Sequence, residues 1–157
     1  MALIKCQTIS GETIEVEEKA LFPRPCAYAL VVNNKNELLV EDPKDEGGKY
    51  WFLGGGLKNS ENPKIGLKRE VFEESGMNIK VGKLIAQLEY CYYHNKLKKY
   101  YRCKSKFFLC KPLGNTVPNF ARQVKTKWLK ITNLKSDDFH NLISGIMEKL
   151  REELGRA

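Results

Sequence analysis

The chain has 157 residues, enough for one domain, residues 1–157, with a sizeable buried core. With 42% hydrophobic and 29% charged residues it falls outside the disordered class, and it contains no apolar run long enough to span a membrane. The formal net charge of +8 comes from one segment: Tyr90 to Ser136 holds twelve Lys or Arg and no Asp or Glu, leaving fifteen basic and nineteen acidic groups elsewhere. Such a segment is either a solubilising surface or an electrostatic rim that draws in phosphorylated substrate or RNA. The N-terminus MALIKCQTIS lacks the apolar region of a signal peptide, and the five cysteines, without a C-x-x-C pair, read as reduced thiols. Both point to the cytoplasm.

In chain order, Leu3 to Gln7 and Thr13 to Val16 are predicted to pair as a hairpin around Ser10-Gly11. Phe22-Pro23-Arg24-Pro25 excludes helix and predicts an extended entry. Ala27 to Val32 and Leu38 to Val40 flank the turn residues Asn33-Asn34-Lys35-Asn36 and predict a central hairpin. Asp42 to Lys49 is a polar loop, and Tyr50-Trp51-Phe52 a short aromatic strand leading into Gly54-Gly55-Gly56. Asn62 and Pro63 fit the N-cap and first position of a helix that ends at Gly76. Gly66 within it costs about 1 kcal/mol relative to alanine, which is a tolerated defect unless neighbouring backbone comes close.

Ile79 to Tyr93 and Lys98 to Cys110 are nearly symmetric about His94-Asn95-Lys96-Leu97, which predicts a long antiparallel hairpin. Its tyrosines are either cross-strand packing or a surface for a nucleobase. Lys111 to Ala121 reads as a loop and Lys125 to Ile131 as a strand carrying Trp128. Ser136 is predicted to cap a final helix whose Phe139, Leu142, Ile143, Ile146, Leu150 and Leu154 recur at three and four. Strands around two helices predict an α/β fold with a mixed sheet.

The chemistry is concentrated in one helix. Glu70, Glu73 and Glu74 share a face, and Glu70 and Glu74 repel each other one turn apart. No Lys or Arg at 66, 67, 77 or 78 relieves them. Three glutamates alone would suit a solvated face better than a site. A hard divalent cation offsets the repulsion, because Mg²⁺ takes carboxylate oxygens together with water and phosphate.

The surrounding residues resemble the Nudix box: Gly55, Glu61, Arg69, Glu70, Val71, Glu73, Glu74, Gly76 and Met77 occupy its fixed positions. The resemblance to Nudix hydrolases extends over most of the chain and implies an α/β/α sandwich. It also implies a pyrophosphohydrolase that uses Mg²⁺ or Mn²⁺ and cleaves a nucleoside di- or triphosphate linked to another moiety. By the same resemblance, Glu70, Glu73, Glu74 and the carbonyl of Gly54 hold the metal. Arg69 orients the glutamates, Glu61 supports the junction of glycine loop and helix, and Glu73 or Glu74 acts as base. Two departures stand out: Leu53 replaces a common proline, and no acid between Glu89 and Asp137 supplies a second base. Arg24, Tyr92 and Tyr93 are the candidate substrate contacts. Hydrolysis of a dinucleoside polyphosphate or an RNA 5′ end, isomerisation of isopentenyl diphosphate, and nucleotide binding without turnover remain the alternatives.

Overall fold

The computed structural model describes residues 2–43, 48–114 and 124–156. Ten regular elements follow in order: β1 (Leu3–Gln7), β2 (Thr13–Glu17), β3 (Phe22–Val31), β4 (Glu37–Glu41), β5 (Leu53–Gly56), α1 (Pro63–Ser75), β6 (Ile79–His94), β7 (Lys99–Pro112), β8 (Thr126–Lys130) and α2 (Ile146–Gly155). Six strands form one mixed sheet in the order β2-β1-β6-β7-β3-β5, and β4 pairs with β8 in a second, two-stranded sheet. The first hairpin and the long β6–β7 hairpin form as expected, the latter closing with His94 opposite Lys99. None of the described helices is long and apolar enough to cross a membrane.

The sheet is covered on both faces because successive strand residues point to opposite sides. On β3, Ala27, Ala29 and Val31 pack with Leu67 and Val71 of α1, whereas Leu30 packs with Ile146, Met147 and Leu150 of α2. On β7, Phe107 joins the α2 layer and Phe108 the α1 layer. Each fully buried Leu, Ile or Met contributes about 1.5–3 kcal/mol, so both helices are held by their apolar stripes. The result is the α/β/α sandwich expected from the sequence.

Four local expectations need correction. The two arms around Asn33 share only the Val32–Leu38 bridge and then diverge, β3 joining the large sheet and β4 pairing with β8. Both arms are apolar enough for a core strand, so hydropathy could not distinguish one sheet from two. Tyr50 and Trp51 make isolated bridges to Phe139 and Glu41, and the strand is the glycine segment itself, paired with β3. Glycines with low strand propensity form it because β3 supplies the register. The final helix starts at Ile146, not at Ser136, which opens a separate 3₁₀ turn over Ser136–Asp138. Phe139 and Ile143 are nevertheless buried, so the apolar spacing reported burial and not continuous helix. Finally, β7 runs on through Pro112, and residues 115–123 of the expected loop lie outside the described residues, as do residues 44–47 of the earlier polar loop.

Candidate active site

Helix α1 is built as its sequence predicts. The Asn62 side chain accepts from the amides of Lys64 and Ile65, Pro63 opens the first turn, and Gly76 closes the helix in the left-handed region at φ 72°. Its glutamates fall into two environments. Glu70 and Glu74 are 3% and 5% exposed, while the Glu73 side chain is 30% exposed. The repulsion among them is relieved from within the cluster. Arg69 Nη1 donates to Glu70 at 3.1 Å and to Glu73 at 3.2 Å, and Arg69 Nε and Nη2 grip both oxygens of Glu61 at 2.9 Å. The neutralising cation is thus on the glutamates' own helix, where the long Arg69 side chain reaches both Glu70 and Glu73. Arg69 holds the Glu61 carboxyl down at about 2, and the amide of Lys58 adds a second hydrogen bond to it.

Gly66 belongs to the same construction. A Cβ there would lie 2.6 Å from Leu57 Cδ2 and 2.7 Å from Glu61 Oε1. The close neighbours are side chains, not backbone, and the missing methyl group is what lets Glu61 reach Arg69 across the helix surface.

Strand β5 delivers the glycines against this helix. Gly54 has φ 138°, and a Cβ on it would lie 2.2 Å from the Ala27 carbonyl oxygen, so no other residue fits. Its amide donates to Glu74 Oε1 at 2.7 Å. At Gly55 a Cβ would stand 3.1 Å from Glu70 Oε2, so the glycine leaves space at that carboxylate. Glu70 and Glu74 thus each bring carboxylate oxygens to the glycine strand, and oxygen donors of this kind are what a hard divalent cation takes. The wider expected set is not assembled: Arg69 draws Glu73 outward, and no group of three or more His, Cys, Asp or Glu disposed around a metal occurs among the described residues. The Gly54 group in contact with a glutamate is its amide and not its carbonyl.

From this acidic end a cleft of about 330 Å³ runs along the sheet, lined by Gly54, Gly55 and Glu74 and then by Tyr28, Trp51, Tyr90, Tyr92 and His94, with Arg24 at its side. Trp51 lies 5.7 Å from Tyr92 and 6.1 Å from Tyr28, centroid to centroid. Arg24 fits where a Cβ on Gly56 would meet its guanidinium at 2.8 Å, and it sits 4.8 Å over the Tyr101 ring. Of the expected substrate contacts, Arg24 and Tyr92 line the cleft. Tyr93 does not: it points to the other face and packs on Tyr100 beside Cys6, Val16 and Cys91. Alternation along β6 makes only one of two adjacent tyrosines available.

Tyr28 and Trp51 were not singled out from sequence, since each reads there as ordinary core, whereas Tyr90 is one of the hairpin tyrosines expected to serve either as packing or as a nucleobase surface. Burial raises both phenols well above their usual range, so they stay protonated, and Ser105 donates to the Tyr90 oxygen at 3.0 Å. His140 is buried behind Trp51, 4.9 Å between ring centroids. Its Nδ1 accepts from the Leu142 amide, so its Nε2 carries the hydrogen and donates to the Thr8 carbonyl at 2.8 Å. Burial lowers its pKa, in keeping with that neutral form. A helical reading of this region could not foresee a histidine tying the first hairpin to the cleft wall.

The sequence profile of the NUDIX domain matches residues 22–150, which include both the acidic and the aromatic ends of the cleft. The chain belongs to the NUDIX domain family. Over 75 residues it is 32% identical to an RNA pyrophosphohydrolase of Roseobacter denitrificans, a match covering 46% of this chain and 47% of that protein. The chain thus aligns with about half the length of that relative. Among solved structures, it resembles a NUDIX hydrolase from Nitrosomonas europaea with a TM-score of 0.64 at 16% identity, covering 84% of this chain and 90% of that one. An ADP-ribose pyrophosphatase from Streptococcus suis superposes with a TM-score of 0.60 at 22% identity, covering 87% and 94%. At these identities the superpositions speak to the fold alone.

Proposed function

We propose that the chain is a hydrolase of phosphoric anhydride bonds whose substrate is a nucleotide, a nucleoside di- or triphosphate linked to another moiety. The observation that carries this reading is the continuity of one cleft from Glu74 and the glycines to Trp51, Tyr90 and Tyr92. An anhydride and a base, the two ends of one nucleotide, match its two ends. Members of the family generally use divalent metal ions, and here Glu70 and Glu74 would hold one, Mg²⁺ or Mn²⁺. Such an ion neutralises the anhydride oxygens and lowers the pKa of attacking water.

The chain's own residues carry the remaining tasks. Arg69 fixes the spacing of Glu70 and Glu73, and Glu61 locks Arg69 from the other side. Glu73, the most exposed of the three helix glutamates, and Glu74, hydrogen-bonded to the glycine strand, are the carboxylates placed to accept a proton from water. Arg24 contributes charge to the phosphate side of the cleft, and Tyr92 with Trp51 contributes the stacking faces. The test is a panel of nucleoside triphosphates, nucleotide sugars and dinucleoside polyphosphates with Mg²⁺ or Mn²⁺, resolving nucleoside monophosphate, phosphate and pyrophosphate. Release of none of these from any member sinks the reading, and rearrangement of isopentenyl diphosphate, offered alongside the panel, would replace it with isomerisation.

A second reading, removal of pyrophosphate from an RNA 5′ end, is favoured by the name of the Roseobacter relative and by the lysine-bearing hairpin tip that lines the cleft. Steep salt dependence of RNA binding would support it.

A further inference from the structure

The cleft does not stop at its nucleotide-sized end. Strands β3 and β7 begin side by side and parallel, with Phe22 opposite Tyr101 and Arg24 opposite Cys103. Across the next ladder Tyr92 stands opposite Tyr101 and His94 opposite Lys99. Residues opposite one another, or two apart on a strand, share a face. Phe22, Arg24, Lys99 and Tyr101 therefore lie on the face of Tyr92 and His94, which is the face of the cleft.

Along that face cations and rings are in file. Arg24 sits 4.8 Å over Tyr101, Tyr101 lies 6.3 Å from Phe22, and Lys99 Nζ stands 5.0 Å over Phe22. The file starts inside the cleft at Arg24 and ends in solvent, where Phe22 is 50% exposed. A half-exposed phenylalanine gains little from burial, so packing alone accounts poorly for it. Strands β3 and β7 contain no Asp or Glu, and neither do residues 90–94 of β6. Lys96 and Leu97, at the hairpin tip, line the cleft as well.

We propose that this file binds the nucleotides that follow the 5′-terminal one in single-stranded RNA, an inference that rests on the nucleotide reading of the cleft. Alternating positive charge and exposed rings is the pattern by which proteins hold single strands: cations follow the phosphodiesters while rings take the faces of successive bases. The terminal nucleotide occupies the Trp51–Tyr92 end, and the chain leaves over Tyr101 and Phe22. A free nucleotide reaches only the cleft, so polymer and monomer are distinguished by residues outside the catalytic helix.

The experiment measures fluorescence anisotropy with a 5′-monophosphorylated RNA octamer in Mg²⁺, which offers no anhydride to cleave, against the matching nucleoside monophosphate as competitor. Wild-type protein should bind the octamer at least tenfold more tightly than the monomer. Phe22→Ala should weaken octamer binding about tenfold, the worth of one stacked base, and leave the monomer unaffected. Lys99→Gln, a change at an exposed side chain, should weaken it a few-fold and flatten the salt dependence by somewhat less than one unit of slope. Octamer affinity unchanged in both variants, or equal to that of the monomer in wild type, overturns the proposal. Hydrolysis of nucleoside triphosphate by wild type and both variants is followed in parallel. Its absence in wild type would break the hydrolase reading alone, since the binding comparison still decides what the file does.

Discussion

The two ends of the cleft are made in different ways. The acidic end comes from one continuous stretch, Gly54 to Gly76, in which cap, helix and ion pairs are local and only the glycine strand takes its register from β3. The aromatic end takes Tyr28 from β3, Trp51 from the approach to β5, Tyr90 and Tyr92 from β6, and support from His140 near the C-terminus. Reaction chemistry needs fixed short distances among a few carboxylates, which one helix turn supplies. Recognition needs area and shape, which only several strands can enclose.

The strongest way to break this division is at the helix. Glu70→Gln and Glu74→Gln, the latter keeping an acceptor for the Gly54 amide, should each lower turnover about 10²–10⁴-fold with little change in stability. Unchanged kcat in both would mean that the chemistry lies elsewhere. Gly54→Ala tests the seam between the two ends, since its Cβ would overlap the Ala27 carbonyl at a φ reserved for glycine. It should cost about 3 kcal/mol, read from the urea midpoint.

Gly66→Ala sharpens the local side of the comparison. In a free helix the change would stabilise by about 1 kcal/mol, but here the methyl group meets Leu57 and Glu61, and the sign should reverse to a loss of about 1–2 kcal/mol. On the aromatic side, Tyr92→Ala should raise KM by roughly tenfold, the worth of one stacking face, while kcat falls far less. An equal fall in kcat would show that the aromatic end also positions the anhydride.

The smallest effect is a pH dependence. Arg69 depresses the Glu61 carboxyl from its ordinary 4.5 to about 2. A depressed acid stabilises the fold above its unfolded value, so this contribution is complete above about pH 4.5 and fades as pH falls towards 2. Denaturant midpoints measured between pH 5 and 3 should fall less steeply in Glu61→Gln than in wild type.

Much of the fold was legible because periodicity and turn chemistry are local properties. Asn62, Pro63 and Gly76 bounded α1, and the near-symmetry about His94–Leu97 marked the β6–β7 hairpin. The same reasoning failed where partners are distant. Nothing near Leu38 to Val40 announces that β8, some ninety residues later, is its partner. The apolar spacing from Phe139 to Ile146 satisfied a helical period while the chain ran through turns, because burial and helicity share that spacing.

The sequence by itself determined the glutamate-bearing helix, its caps and the family to which the chain belongs, since these depend on residues within a few turns of each other. Only the tertiary structure decided which of two adjacent tyrosines faces the cleft, how Trp51 and His140 meet, and that Arg69 also grips both oxygens of Glu61. It also set Arg24, Tyr101, Phe22 and Lys99 in one file. Strand register and side-chain direction are properties of the assembled sheet, and a one-residue shift would have turned every one of those strand residues to the other face.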